Sequence, residues 1–204
     1  IVELNETGLD YQRVGAHEHA IVHFKKALRL DDNLPLTHYN LGFAFYFGKG
    51  MTEDALRHFQ RALELDPSNP HVLYSLGYLS LHERNDPDGA MRYLDQALAI
   101  MPDMASAWNT LGLARGAKGK WTEAVECFDK AAGHAPDLAP TFSNKGIAMV
   151  QLGDLDGATE AFGQAVKLKP ESVKNRNNLG NVLGMRDRKA EALEQFEASL
   201  KLDP

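Results

Sequence analysis

The sequence predicts an all-α protein built as a stack of six antiparallel helical hairpins. Three independent residue series carry that prediction. Glycines recur at Gly8, Gly42, Gly77, Gly112, Gly146 and Gly180, with gaps of 34, 35, 35, 34 and 34. Alanines recur at Ala20, Ala55, Ala90, Ala124, Ala158 and Ala192, with gaps of 35, 35, 34, 34 and 34. Prolines at Pro67, Pro102, Pro136, Pro170 and Pro204 close every unit but the first, where Asp32 stands instead. One period shared by three series marks a repeat array, in which each unit buries its apolar face against its neighbours. The repeats run over residues 1–34, 35–69, 70–104, 105–138, 139–172 and 173–204, read as one continuous domain.

Within each repeat the first helix carries a Leu-Gly pair, as at Leu41-Gly42, Leu76-Gly77, Leu111-Gly112 and Leu179-Gly180. A mid-helix glycine costs about 1 kcal/mol relative to alanine. Its recurrence therefore calls for close packing, and the simplest form is another helix backbone passing nearby. The second helix carries a small–large–small trio: Ala20, Phe24 and Ala27; Ala55, Phe59 and Ala62; Ala90, Leu94 and Ala97. The series continues with Ala124, Phe128 and Ala131, then Ala158, Phe162 and Ala165, then Ala192, Phe196 and Ser199. Spacings of four and three put each trio on one face. The closing proline ends the helix, because it lacks the N–H and its ring clashes with the preceding turn. Turns join the two helices at Val14-Gly15, Gly48-Lys49-Gly50, Gly119-Lys120 and Gly153-Asp154, and the extra residue of the two longer repeats falls in this region.

The run Trp108-x-x-Leu111-Gly112, then Ala124-x-x-x-Phe128, then Pro136 resembles the tetratricopeptide repeat. The resemblance covers essentially the whole chain in six copies. It departs at Arg115, where an aromatic is usual, and at Lys145, where leucine is expected. It implies a right-handed superhelical solenoid whose first helices line a concave inner surface. It also implies protein binding, although a fold does not fix a function. Chaperone-adaptor members grip a C-terminal carboxylate through Lys, Asn and Arg. The matching places here hold Tyr39 and Phe43, Tyr74 and Tyr78, Asn109 and Leu113, or Asn177 and Asn181, so that ligand is not expected.

Composition narrows the classes further. Hydrophobic residues at 44% and charged residues at 25% describe a foldable chain and not a disordered tail. Residues 1–104 hold 9 basic and 15 acidic side chains, and 105–204 hold 13 of each, so neither half offers the positive field that nucleic acid needs. No apolar run approaches the roughly 18 residues of a membrane span, so membrane insertion is not expected. Cys127, the only cysteine, excludes an internal disulfide and reads as a partly buried thiol beside Phe128. The chain opens at Ile1 and not Met, which suggests a trimmed N-terminus and a targeting signal lost with it. The compartment stays open, with the cytoplasm favoured.

Chemistry-bearing motifs are sparse, and neither an enzyme nor a cofactor is expected. Gly42-x5-Gly48-Lys49-Gly50 differs from a phosphate loop in its spacing, in the residue after the lysine and in its helical context, so it reads as a turn. His19 and His23 sit four apart, a spacing able to aim two imidazoles at one metal. Only Glu18 and Asp10 stand near as further ligands, and the pair reads as solvated. The remaining five histidines beyond His17 appear scattered.

If the first helices line a groove, the register names its side chains. Repeat 2 supplies Tyr39, Asn40, Phe43, Tyr46 and Phe47, with Leu36. Repeat 3 supplies Tyr74 and Tyr78, with His71, Ser75, Leu81 and His82. Repeats 4 and 5 give Asn109 and Leu113 with Ser106 and Thr110, then Asn144 and Ile147 with Ser143 and Val150. Repeat 6 gives Lys174, Asn177, Asn178 and Asn181, with Met185. Four of the six tyrosines, Tyr39, Tyr46, Tyr74 and Tyr78, would project towards the groove within repeats 2 and 3. Tyrosine pairs apolar area with a polar tip at little entropic cost, which suits recognition. Phe45 and Tyr11 read as core. The asparagines offer donors and acceptors to a peptide backbone; Asn40, Asn144 and Asn178 share one register and would form a ladder. Bonds between neighbouring helices are the alternative, and both readings stay open.

The leading function is a scaffold binding an extended peptide or partner helix in the groove. A self-assembling scaffold that stacks through its terminal repeats is one alternative. Another is the targeting segment of a larger enzyme, such as the glycosyltransferases that carry asparagine-lined repeats of this kind.

Overall fold

A computed structural model describes residues 1–203; Pro204, the last of the proline series, lies outside the described residues. These residues form twelve α-helices and no strand. The chain divides into two compact units, Ile1–Pro102 and the stretch from Asp103 onward. The first holds α1 (Val2–Arg13), α2 (His17–Leu30), α3 (Pro35–Lys49), α4 (Thr52–Leu65), α5 (Pro70–His82) and α6 (Pro87–Ile100). The second holds α7 (Ala105–Ala117), α8 (Trp121–His134), α9 (Ala139–Leu152), α10 (Leu155–Leu168), α11 (Val173–Met185) and α12 (Lys189–Leu202). In both units each odd-numbered helix pairs with the even-numbered helix that follows it, and successive hairpins stack.

The repeating glycines have a definite partner. A Cβ at Gly42 would meet the Phe59 ring at 2.8 Å, and one at Gly112 would meet Phe128 at 2.6 Å. Gly8, Gly146 and Gly180 stand in the same relation to Phe24, Phe162 and Phe196, and Gly77 to Leu94. The close neighbour is thus chiefly the large side chain of the second helix in the same hairpin. Backbone is also near at two positions, the Ala55 and Ala90 carbonyls at 3.1 and 3.3 Å. Burying a Phe side chain contributes about 1.5–3 kcal/mol, which outweighs the glycine's helix-propensity cost.

Helix ends follow local chemistry. Asn69, Asp86, Asp154 and Ser172 cap their helices with side-chain oxygens that accept from backbone N–H groups. Asp66, Met101, Ala135 and Lys169, each before a proline, leave the helix with φ between −127° and −141°. Asp31 does the same at φ −153° without a proline after it. The turns between paired helices use one left-handed residue each: Gly15, Gly50, Asn85, Gly119, Gly153 and Asp187. That fourth series keeps the repeat period, with Asn and Asp replacing Gly at two places.

The first unit centres on Phe24, Leu41, Phe45, Phe59, Leu76 and Leu79. The second is built around Phe128 with Ala124 and Ala148, and around Phe162 with Leu179, Val182 and Leu183. The two departures from the repeat pattern have charged partners, one in the preceding hairpin and one within its own hairpin. Lys145 pairs with Asp129 of α8 at 2.5 Å, and Arg115 faces Glu123 of α8 at 3.7 Å. Cys127 is 1% exposed, fully rather than partly buried.

Candidate protein-binding surfaces

In the first unit, α3 and α5 bring the six predicted aromatics together. Helical spacing places Tyr39, Phe43, Tyr46 and Phe47 on one side of α3, facing Tyr74 and Tyr78 of α5. With Phe59, Ser75 and Leu79 they line an open pocket of about 160 Å³. Ring centroids lie 4.3 Å apart for Phe43–Phe47 and 6.2 Å apart for both Tyr46–Tyr78 and Tyr74–Tyr78. Tyr78 also packs on His82 at 4.3 Å. Tyr39, Phe43, Tyr46 and Tyr78 press against the core as well, whereas Phe47 is 58% exposed. Asn40 is half-buried and does not line the pocket.

Polar groups edge this trough. The Tyr46 hydroxyl donates to Glu83 Oε1 at 2.7 Å, and Thr52 lies 3.5 Å from the other oxygen. Burial first, then the bond to Glu83, holds the Tyr46 phenol well above its ordinary pKa. Burial likewise raises Tyr39, partly offset by its bond with Ser75, and lowers His82.

In the second unit the asparagines divide. Asn144 Nδ2 donates to Asn109 Oδ1 at 3.1 Å, tying α9 to α7, and Asn178 Nδ2 reaches Ser143 Oγ at 3.4 Å, tying α11 to α9. The bond between neighbouring helices therefore accounts for those two steps. Asn178 still lines a pocket of about 170 Å³ with Asn181, Ile147 and Met185. Leu113, Asn144 and Ile147 line another of about 200 Å³ over Trp121 and Phe128. Lys174 and Asn181 are exposed and Asn177 is half-buried. Thr110 and Ser143, expected to face the groove, are buried; the Thr110 hydroxyl donates to the Ser106 carbonyl of its own helix, and the Ser143 hydroxyl accepts from Asn178. Asn175, not singled out from the sequence, is buried and donates to the Ala165 carbonyl at 3.1 Å.

The histidines differ from the sequence reading. His19 is exposed, but His23 is half-buried, and Tyr11 packs on both at 5.1 and 5.2 Å. Glu18 pairs with Lys49 and Asp10 with Arg13, so neither turns toward them. Two histidines that appear scattered in sequence meet: His38 Nδ1 lies 3.0 Å from His58 Nδ1, with His38 Nε2 2.9 Å from the Asp32 carbonyl. His38 is buried, and His58 stacks on Phe45. Burial, then the neighbouring His38, pushes the His58 pKa down to about 4. A spacing of 20 residues on different helices gave no local signal of this pair. Among the described residues no group of three or more His, Cys, Asp or Glu converges as metal ligands. No helix among them is long and apolar enough to cross a membrane.

This periodic all-helical architecture defines a helical-repeat protein. Tetratricopeptide-repeat family models match residues 8–47, 46–81, 80–140 and 144–204, and the chain belongs to that family. Family membership supports a general protein-binding role. The fold is also similar to that of PilW, a widely conserved type IV pilus biogenesis factor, at 19% identity and TM-score 0.87, over 98% of this chain and 91% of that one. MamA from Desulfovibrio magneticus RS-1 is similar at 24% identity and TM-score 0.74, over 83% and 94% of the two chains. YrrB, described as a tetratricopeptide-repeat protein with an unusual peptide-binding site, is similar at 24% and 0.69, over 84% and 88%. No curated protein matches the chain in sequence.

Proposed function

We propose that this chain is a non-catalytic interaction scaffold that takes an extended peptide or a partner helix on its first helices. The observation carrying this reading is the aromatic trough of α3 and α5. Six aromatic side chains converge around open space although ordinary core packing would fill it. An apolar pocket with few polar groups at its edge is the usual form of a binding site, and tyrosines are the residues that anchor interfaces. The pockets of the second unit, edged by Asn144, Asn178 and Asn181, offer amides to a bound backbone. YrrB is a precedent for peptide binding on this fold.

A Phe47→Ala, Tyr74→Ala double variant removes two rings that lie outside the core cluster. It should melt as the parent does and lose its partners in a pull-down. Full retention by the folded variant would remove the trough from the interaction surface.

A second reading, self-assembly, is favoured by α12. Leu193 and Leu200 are 57% and 63% exposed, whereas Ile21 and Leu56, which match Leu193 in register, are 6% and 3% exposed.

A further inference from the structure

The aromatic trough has an electrostatic direction. Its rings present electron-rich faces, and no Lys or Arg lines it. At its edge stands Glu83, the residue directly after α5, whose two oxygens are met by the hydroxyls of Tyr46 and Thr52 and by no cation among the described residues. Arg84, next in sequence, is committed to Glu53 at 3.2 Å. The Tyr46 hydroxyl orients the carboxylate and ties it to the ring that forms the pocket wall. Charge balance over the first unit points the same way: residues 1–102 contain 14 acidic and 9 basic side chains.

We propose that the trough accepts a cationic side chain, arginine or lysine, from a bound extended peptide, with the apolar stem along Phe43 and Tyr78 and the charge at Glu83. This rests on the reading of the trough as the peptide-binding surface and names the side chain it takes. Three physical terms favour such an anchor over an aliphatic one. Aromatic faces attract a cation by about 0.5–2 kcal/mol, most strongly where water is excluded. The four-carbon stem of lysine, or the shorter one of arginine, gains apolar contact while its head stays at the rim. A charge-assisted bond to a carboxylate already oriented by a hydroxyl costs little reorganisation. A peptide glutamate, by contrast, meets a like charge at Glu83 and the negative faces of the rings.

Random linear peptides displayed on phage, selected on the full chain, test both levels. Binders that Phe47→Ala weakens establish the trough as the surface. Among them the proposal expects an Arg or Lys anchor. Replacing arginine by citrulline in a synthetic binder should then cost about ten-fold in Kd by calorimetry, the size of one good cation contact. Glu83→Gln should cost the arginine peptide a similar factor, leave the citrulline peptide unchanged, and flatten the salt dependence of binding. Glu83 is exposed at a helix end, so its replacement does not endanger folding. Trough binders with aliphatic or aromatic anchors, indifferent to Glu83→Gln, would overturn the cation proposal and leave the binding surface standing. Binders insensitive to Phe47→Ala, or no binders at all, would overturn both.

Discussion

At the residue scale the decisive contact is a large ring laid across a glycine. Helix propensity alone favours alanine over glycine by about 1 kcal/mol, so the sign of a Gly→Ala change depends on what lies over the position. At Gly112 the added methyl would sit 2.6 Å from the Phe128 ring, which is itself fully packed. Gly112→Ala should therefore destabilise by about 1–3 kcal/mol in urea unfolding, the usual cost of overpacking. Gly163, mid-helix in α10 with nothing near its Cβ position, should respond oppositely, gaining up to about 1 kcal/mol as alanine. Equal responses at the two sites would contradict this account. The His38–His58 pair supplies a second residue-scale prediction. The folded-state pKa of His58 is pushed below its ordinary value to about 4, so between pH 6.5 and 4 the unfolded chain binds more protons than the folded one. Stability contributed by the neutral ring is present above pH 6.5 and lost as pH falls through that window. After allowance for partial exposure the loss should be about 1–2 kcal/mol. Urea unfolding at pH 7 and pH 4.5 should show it in the parent, and show less of it in His58→Gln.

At the scale of elements, each hairpin is set by one left-handed residue and a helix stop. Four of the six turns use glycine, which adopts positive φ freely; Asn85 and Asp187 do so at φ 49° and 59°. A side chain in that region carries strain of about 1 kcal/mol, less for Asn and Asp than for other residues. Asp187→Gly should accordingly raise stability by about 0.5 kcal/mol in thermal unfolding, since the exposed Lys189 pair it gives up is worth little. A fall in Tm would show that the Asp187 side chain does more than tolerate its backbone. The periodic placement also explains why helix positions were readable from sequence. Capping, proline stops and turns depend on residues only a few positions apart.

At the scale of the molecule, an exposed apolar helix face is a place where a partner can pack. The outer side of α12 keeps Leu193 and Leu200 exposed beside Glu197 and Lys201. If that face associates, light scattering should give a mass that rises with concentration. Leu193→Glu combined with Leu200→Lys should hold the monomer mass throughout. A monomer at every concentration for the parent rejects the assembly reading.

The sequence by itself determined the twelve helices, their pairing into hairpins and the family, because those features repeat at one period and rest on contacts within a hairpin. It also placed the tyrosines of repeats 2 and 3 on one helical face, since a face follows from spacings of three and four. The tertiary structure decided what those faces meet. Asn144 joins Asn109 across 35 residues, Tyr46 holds Glu83 across 37, and His38 finds His58 across 20. Such pairs depend on how one hairpin is seated on the next, and on which rotamer fills the space between them. No local pattern records either. Asn144 and Asn178 therefore turned out to be bonded between neighbouring helices, and the Glu83 carboxylate beside the aromatic trough emerged only in three dimensions.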